Sequence, residues 1–496
     1  MDLLIVFLLV LAFAHALKFV VKGSKTTRGK LPPGPSPLPI IGNLFDLGDK
    51  PHRSLAKLAK IHGPLMSLKL GQITTVVISS SSLAKEVLQK HDLSFSNRTV
   101  VQAIQALDHH EASMPWLPVG APWRNLRKIC SFYIFTNQKL DANQDLRCKK
   151  IQELLADVQE CCCAGAVVDI GEAAFKTMLN TLSSSVFSLD LTDSSSETVR
   201  EFKEAVRGIM DELGRPNLAD YFPTLRNIDP QGIKRRMRIY VGRMLDLFDH
   251  IIDERLQSRK EPGYIPANDM LDTLLSLDEN NKEEMDRTRI KHLFVDLFAA
   301  GTDTTSSTLE WAMTELVCNP KILSKAREEL EQTIGKGRLL EESDAPRLPY
   351  LQAIIKETLR LHPPTPLLLP RTAGADVEMN GCTVPRDAQV LVNAWAIGRD
   401  PSVWRNPESF FPERFLGSEI DARGRDFELI PFGAGRRICP GLSLAMRMLH
   451  MMLGSLIVSF DWKLENGVTP ESMDMEDKFG ITLQKAQPLK AIPIQL

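Results

Sequence analysis

No sign of charge dominates this 496-residue chain: 60 Lys and Arg stand against 62 Asp and Glu, a formal net charge of −2, and no arginine-rich block is interleaved with aromatics. That balance excludes a nucleic-acid binder, which needs a basic stripe to meet phosphate. The eight cysteines contain no C-x-x-C pair, and Cys161, Cys162 and Cys163 are consecutive. The pattern therefore offers neither a zinc site nor a disulfide framework, and a reducing compartment suits it. Nor does any low-complexity tract or linker divide the interior. We read residues 38–496 as one large catalytic domain, although such a length holds about three domains on average.

What the chain does have begins at its start. Residues 3–21 are apolar apart from His15 and Lys18, and Lys22, Lys25, Arg28 and Lys30 follow at once. A bilayer span needs about 20 such residues, so 1–21 is expected to be a membrane anchor. Ala14-His15-Ala16 also offers an A-x-A cleavage site, and a removed signal peptide is the competing reading. The leader carries Asp2 and no cation, while the basic cluster lies after the apolar run, which favours a retained anchor with the bulk of the chain in the cytoplasm. Residues 22–37 are basic and then proline-rich, ending in Lys30-Leu31-Pro32-Pro33-Gly34-Pro35-Ser36-Pro37. Proline fixes φ and disfavours helix before it, so this is an extended hinge.

Hydrophobic periodicity then predicts a mostly α chain with small β-sheets. Helices are expected over 51–61 and 81–89, strands over 65–70 and 74–78, and mainly amphipathic helix from 140 to 460, broken by loops at 217–232 and 261–267. Further short strands are expected at 389–392 and near 481–483.

Two segments carry chemistry. Phe432-Gly433-Ala434-Gly435-Arg436-Arg437-Ile438-Cys439-Pro440-Gly441 presents one cysteine from a tight glycine loop beside two cations and at the start of an apolar helix. Helix-start N–H groups and guanidinium charge both favour thiolate, a strong anionic metal ligand. The second segment is the centre of a long helix predicted over 291–317, Ala299-Ala300-Gly301-Thr302-Asp303-Thr304-Thr305-Ser306. Glycine, hydroxyls and a carboxylate are poor choices for a buried helix interior, because threonine hydroxyls bond back to the i−4 carbonyl. Packing alone does not select them.

F-x-x-G-x-R-x-C-x-G and A-G-x-D-T-T, together with Glu357-Thr358-Leu359-Arg360, Pro412-Glu413-Arg414-Phe415 and the W-x-x-x-R of Trp123 and Arg127, resemble the cytochrome P450 family from the proline hinge to Leu483. The resemblance implies the haem-thiolate monooxygenase fold and haem b, with Cys439 as the iron ligand. Trp123, Arg127, Arg371 and Arg437 would meet the haem propionates. Thr304 would donate a hydrogen bond at the distal face of the iron, with Asp303 relaying solvent protons to it, and Glu357, Arg360 and Arg414 would form a buried structural network. No flavin-binding portion is left over, so electrons are expected from NADPH through a separate NADPH–cytochrome P450 reductase at the endoplasmic reticulum membrane.

Asn393 to Asp400, Phe427 to Gly433 and Met475 to Leu483 resemble in particular the plant members of the family that include geraniol hydroxylases. The resemblance places Val100, Trp116, Phe294, Phe298, Ala299, Thr365, Leu367, Leu368 and Ile481 around a lipophilic substrate. It implies hydroxylation of a terpenoid, foremost a monoterpenol such as geraniol at an allylic methyl. A diterpene, a prenylated quinol or a phenolic substrate is the alternative, and a membrane-anchored haem protein that binds without turnover is the reading from another class.

Overall fold

A computed structural model describes residues 30–191, 197–267, 269–280, 285–335, 338–465 and 467–496. The expected anchor, 1–21, and the start of the hinge lie outside the described residues. Residues 30–37 run without helix or strand, and Pro32 and Pro33 accept hydrogen bonds from Ser67. The elements that position the site are α1 (Pro51–His62), β1 (Leu65–Leu70), β2 (Ile73–Ile78), β3 (Asn97–Arg98), α2 (Ala121–Ile129), α3 (Ile170–Phe187), α4 (Ile233–Ser258), α5 (Arg287–Cys318), α6 (Pro349–Leu361), β4 (Arg371–Thr372), β5 (Gln389–Val392), α7 (Leu442–Ser459), β6 (Asp477–Lys478) and β7 (Gln484–Lys485).

The chain is mostly helical with small sheets. The largest sheet among the described residues has the order β1-β2-β5-β4-β3, with β2 and β5 parallel and the other pairs antiparallel. The strand expected near 481–483 starts three residues later, at Gln484: β7 pairs with β6, and Ile481 and Thr482 sit in the bend between them. The expected helix over 81–89 forms as Ser81–Lys85 followed by a wider turn, Glu86–Lys90.

Helix α5 is the axis of the molecule, in contact with α3, α4, α6 and α7. It starts four residues before the expected boundary because the Asp286 side chain caps it, accepting from Arg289 N at 2.8 Å. Its hydroxyl-rich centre is neither solvated nor broken. Thr304, Ser306, Thr308 and Thr314 each donate to the carbonyl four residues back at 2.7–2.8 Å, which satisfies these four hydroxyls inside the helix, whereas Thr302 Oγ1 is buried with no partner among the described residues. Gly301 is needed for packing as well, since a Cβ there would lie 3.1 Å from Leu182 of α3. Among the described residues the one helix long and apolar enough to cross a bilayer is α7, but Met448 to Ile457 of that helix are buried in the core. It is a core helix by packing.

A second constraint lies at the end of α6. Arg360 Nε and Nη2 grip Glu357 in a fork at 2.7 and 2.8 Å, one turn along the same helix face. Glu357 Oε1 also accepts from Arg414 Nε at 3.0 Å and from Phe411 N at 2.7 Å. Arg360 donates onward to the carbonyls of Pro407 and Ser409. Glu357 and Arg360 are fully buried, so their charges persist only because every donor is matched. Glu357→Ala, which strands two guanidinium groups, is expected to lower stability by about 3–5 kcal/mol in denaturant unfolding. Lys325→Ala, which breaks an exposed pair with Glu413, should cost under about 1 kcal/mol in the same assay.

Candidate active site

The cysteine loop is built on two glycines. Gly433 and Gly435 hold φ of +69° and +68°, the left-handed region, and a Cβ on Gly435 would strike the Leu88 carbonyl. Cys439 N closes the loop on Phe432 O at 3.0 Å. Arg437 anchors it from within, donating to Ser96 O at 2.8 Å, to Met114 O at 3.2 Å and to Leu117 O. Arg436 does not act on the sulfur: it turns outward to Asp92 at 2.7 Å. The expectation of two cations beside Cys439 is corrected accordingly, and the guanidinium whose charge reaches the sulfur is that of Arg127.

Cys439 lies on the wall of an internal cavity of about 270 Å³, together with Ala300, Gly301 and Thr304 of α5. Burial pushes its thiol up, and the N–H groups of Gly441 and Leu442 and the Arg127 charge only partly offset this. The thiolate expected from helix-start geometry thus needs further positive charge, which a metal ion supplies outright.

Four guanidinium groups border the same cavity: Arg98, Arg127, Arg371 and Arg437. Among the described residues none has a carboxylate within ion-pair distance. The register of β3 and β4 sets Arg98 directly opposite Arg371, a like-charge juxtaposition that destabilises a sheet unless an anion sits between. Burial, then Arg371 and Arg437, push Arg98 well below the usual guanidinium range. Burial brings Arg371 down to about 10, and burial with the charges of Arg371 and Arg127 does the same to Arg437. Arg371 Nε is buried with no hydrogen-bond partner among the described residues. Trp123, whose ring lies 4.7 Å from the Arg437 guanidinium carbon, also borders the cavity. A thiol on one face and four unneutralised cations at the edge fit a metal macrocycle that carries two carboxylates. Arg98 escaped the sequence reading because it stands in no motif; only the strand register brings it opposite Arg371.

The acid–alcohol pair is split between two sides of α5. Thr304 lines the cavity, but Asp303 does not. Asp303 is buried, accepts from Gln484 Nε2 at 2.8 Å, and has its carboxyl pushed up by burial, which the neighbouring Thr482 and Gln484 side chains only partly offset. Thr482 lines the cavity, and its Oγ1, like Asp303 Oδ2, is buried with no hydrogen-bond partner among the described residues.

Of the residues expected around the substrate, Thr365, Leu368 and Ile481 line the cavity. Six others do not. Phe294 and Phe298 pack into an aromatic cluster with Phe187, Phe202 and Phe248, with ring centroids 5.1–6.1 Å apart. The cavity stripe of α5 runs through Leu297, Gly301, Thr304 and Thr308, one helical step away from Phe298 and, on the other side, from Ala299. Val100, Trp116 and Ala299 pack into the core on the α4 side, and Leu367 packs with the cluster around Leu55 and Leu68 under α1. Met114, Leu182 and Met210 take their places on the wall.

Fold and cavity together define a haem-thiolate oxygenase. The family model described as Cytochrome P450 matches residues 32–490, and the chain belongs to that family. It is 57% identical over 490 residues to geraniol 8-hydroxylase of Swertia mussotii, covering 99% of this chain and 98% of that one. Geraniol 8-hydroxylase of Catharanthus roseus is 55% identical over 496 residues, 100% of this chain and 99% of its own. Drimenol monooxygenase of Persicaria hydropiper is 55% identical over 473 residues, 95% and 94% of the two chains. The chain is a cytochrome P450 monooxygenase, and its family implies haem.

Arg127 offers the cleanest test of the cation edge, because it makes no hydrogen bond to the protein among the described residues. Arg127→Leu is expected to raise the haem dissociation constant by about tenfold, the worth of a hydrogen bond to a charged group, while raising the melting temperature of the apoprotein, which sheds one buried like charge. Haem transfer to an apoglobin acceptor measures the first and calorimetry the second.

Proposed function

We propose that this monooxygenase hydroxylates a monoterpenol such as geraniol at an allylic methyl, on the cytoplasmic face of the endoplasmic reticulum. Residues 1–21 hold it there, 22–37 act as the hinge, 38–496 form the catalytic domain, and electrons arrive from NADPH through NADPH–cytochrome P450 reductase. The single observation that carries this reading is the cavity itself. Its upper wall is apolar, formed by Met114, Leu182, Met210, Leu297, Leu368 and Ile481, and its floor is the Cys439 loop. Such a wall suits a prenyl chain and leaves few polar contacts to satisfy. The names of the relatives, hydroxylases and monooxygenases of geraniol and drimenol, support the same class.

In this reading Cys439 would ligate the haem iron, and Trp123, Arg98, Arg127, Arg371 and Arg437 would hold the propionates. When bound, thiolate-ligated haem supplies the activation of O2. The rest falls to the chain. Ala300 and Gly301, with almost no side chain, leave room above the floor for O2 and a substrate carbon. Thr304 presents a hydroxyl there, its own proton pledged to the Ala300 carbonyl at 2.7 Å until a stronger acceptor arrives. Asp303 takes protons from the side of Gln484, and its upward-shifted carboxyl lets it carry one and pass it on through Thr482. The apolar wall excludes bulk water, so this is the route by which protons enter.

Thr304→Ala is expected to keep haem and terpenol binding while several-fold more of the NADPH consumed appears as hydrogen peroxide; coupling equal to wild type would remove Thr304 from the route. Reconstitution with reductase and NADPH on a panel of terpenols, a prenylated hydroquinone and simple phenols tests the substrate. Hydroxylated geraniol is the expected product, and turnover of the phenols with none of the terpenols would overturn the assignment.

A further inference from the structure

Asp296 is the sole carboxylate among the residues on the cavity wall. It sits on α5, two turns before Thr304. Its oxygens offer about four lone-pair sites, and three are taken. Ser113 Oγ donates to Oδ1 at 2.6 Å, His109 Nε2 lies 3.2 Å from the same oxygen, and Met114 N donates to Oδ2 at 2.9 Å. His109 Nδ1 is 2.6 Å from His292 Nδ1. One proton arrangement satisfies both contacts: His292 donates to His109 Nδ1, and His109 in turn donates from Nε2 to Asp296. Burial and the neighbouring His109 push His292 down to about 4, so His292 is neutral near pH 7. Oδ2 thus keeps one acceptor site, and three donors fix the carboxylate in place beside the cavity.

Asp296, Ala300 and Thr304 stand at i, i+4 and i+8, and all three border the cavity. At 1.5 Å per residue, Asp296 and Thr304 are about 12 Å apart along the helix. An acyclic primary alcohol with an eight-carbon main chain spans about 10 Å from oxygen to its far end, and a hydrogen bond adds about 2.7 Å, within about 1 Å of that separation. The two lengths agree.

We propose that Asp296 is the substrate-hydroxyl anchor and that α5 acts as a ruler: the alcohol of a ten-carbon terpenol donates to Asp296 Oδ2, which delivers the far allylic methyl group to Thr304 and the Cys439 floor. This rests on the terpenol reading above and adds to it both the polar contact and the position of oxidation. A fifteen-carbon terpenol is longer by four main-chain carbons, about 5 Å, so its terminal methyl overshoots and an internal carbon stands at the floor. Asp296 also ties Ser113 and Met114 to α5, and the test must separate anchoring from that latch.

The haem-loaded enzyme is titrated with geraniol and with its hydrocarbon counterpart lacking the oxygen, in wild type and in Asp296→Asn, and product positions are determined for geraniol and farnesol. Wild type is expected to bind the alcohol about tenfold more tightly than the hydrocarbon. Asp296→Asn should lose most of that preference, weakening geraniol about tenfold and the hydrocarbon less than about twofold, and should spread oxidation over several carbons of geraniol. Equal binding of the two ligands by wild type would overturn the anchor without recourse to any variant. So would an equal loss for both ligands in Asp296→Asn, or oxidation of farnesol at its terminal methyl as cleanly as geraniol. If the binding preference and its loss appear but geraniol is not oxidised, the anchor stands and the terpenol-substrate reading falls.

Discussion

Mutual repulsion among Arg98, Arg127, Arg371 and Arg437 is the constraint around which the site is arranged. Each is drawn from a different element, and each is held below the ordinary guanidinium range by burial. A fold that gathers such charges at one cavity edge forgoes stability until a matching anion arrives. The thiol of Cys439 makes the complementary demand, since burial keeps it protonated until a cation approaches. One ligand meets both: a metal in a macrocycle with two carboxylates. Cofactor binding and folding energy are therefore linked, and the scaffold pays for its cofactor site in advance.

Helix α5 serves this arrangement by dividing its faces. One stripe, from Asp296 through Ala300 to Thr304, borders the cavity. Another buries Phe294 and Phe298 among aromatic rings, and a third turns Asp303, Ser307 and Trp311 toward the segment that carries Leu483 and Gln484. Of the hydroxyls that look out of place in a buried helix, those of Thr304, Ser306, Thr308 and Thr314 are satisfied by carbonyls one turn back and that of Ser307 by Leu483 O. Local polarity is thereby tolerated where chemistry requires it.

Much of this was legible in the sequence. The strand over 389–392 forms at those residues, and the long helix differs from its expected bounds by a four-residue extension due to the Asp286 cap. The pairing of Glu357 with Arg360 follows from helix spacing, and the place of Arg414 beside them from the family resemblance. What was not legible depends on rotation and register. Phe298 is as apolar as Leu297, and no pattern says which of two adjacent residues faces a cavity and which a neighbouring helix. Arg98 becomes meaningful only opposite Arg371. Asp296 was passed over because its partners, Ser113, Met114 and His109, lie more than 180 residues away.

The account rests on the Cys439 sulfur as the axial ligand of haem iron. X-ray absorption at the iron edge of the purified holoenzyme tests this most directly. A sulfur scattering shell should appear in the wild type and give way to a lighter scatterer in Cys439→Ser. A wild-type spectrum without sulfur, or a sulfur shell that survives the substitution, would contradict it.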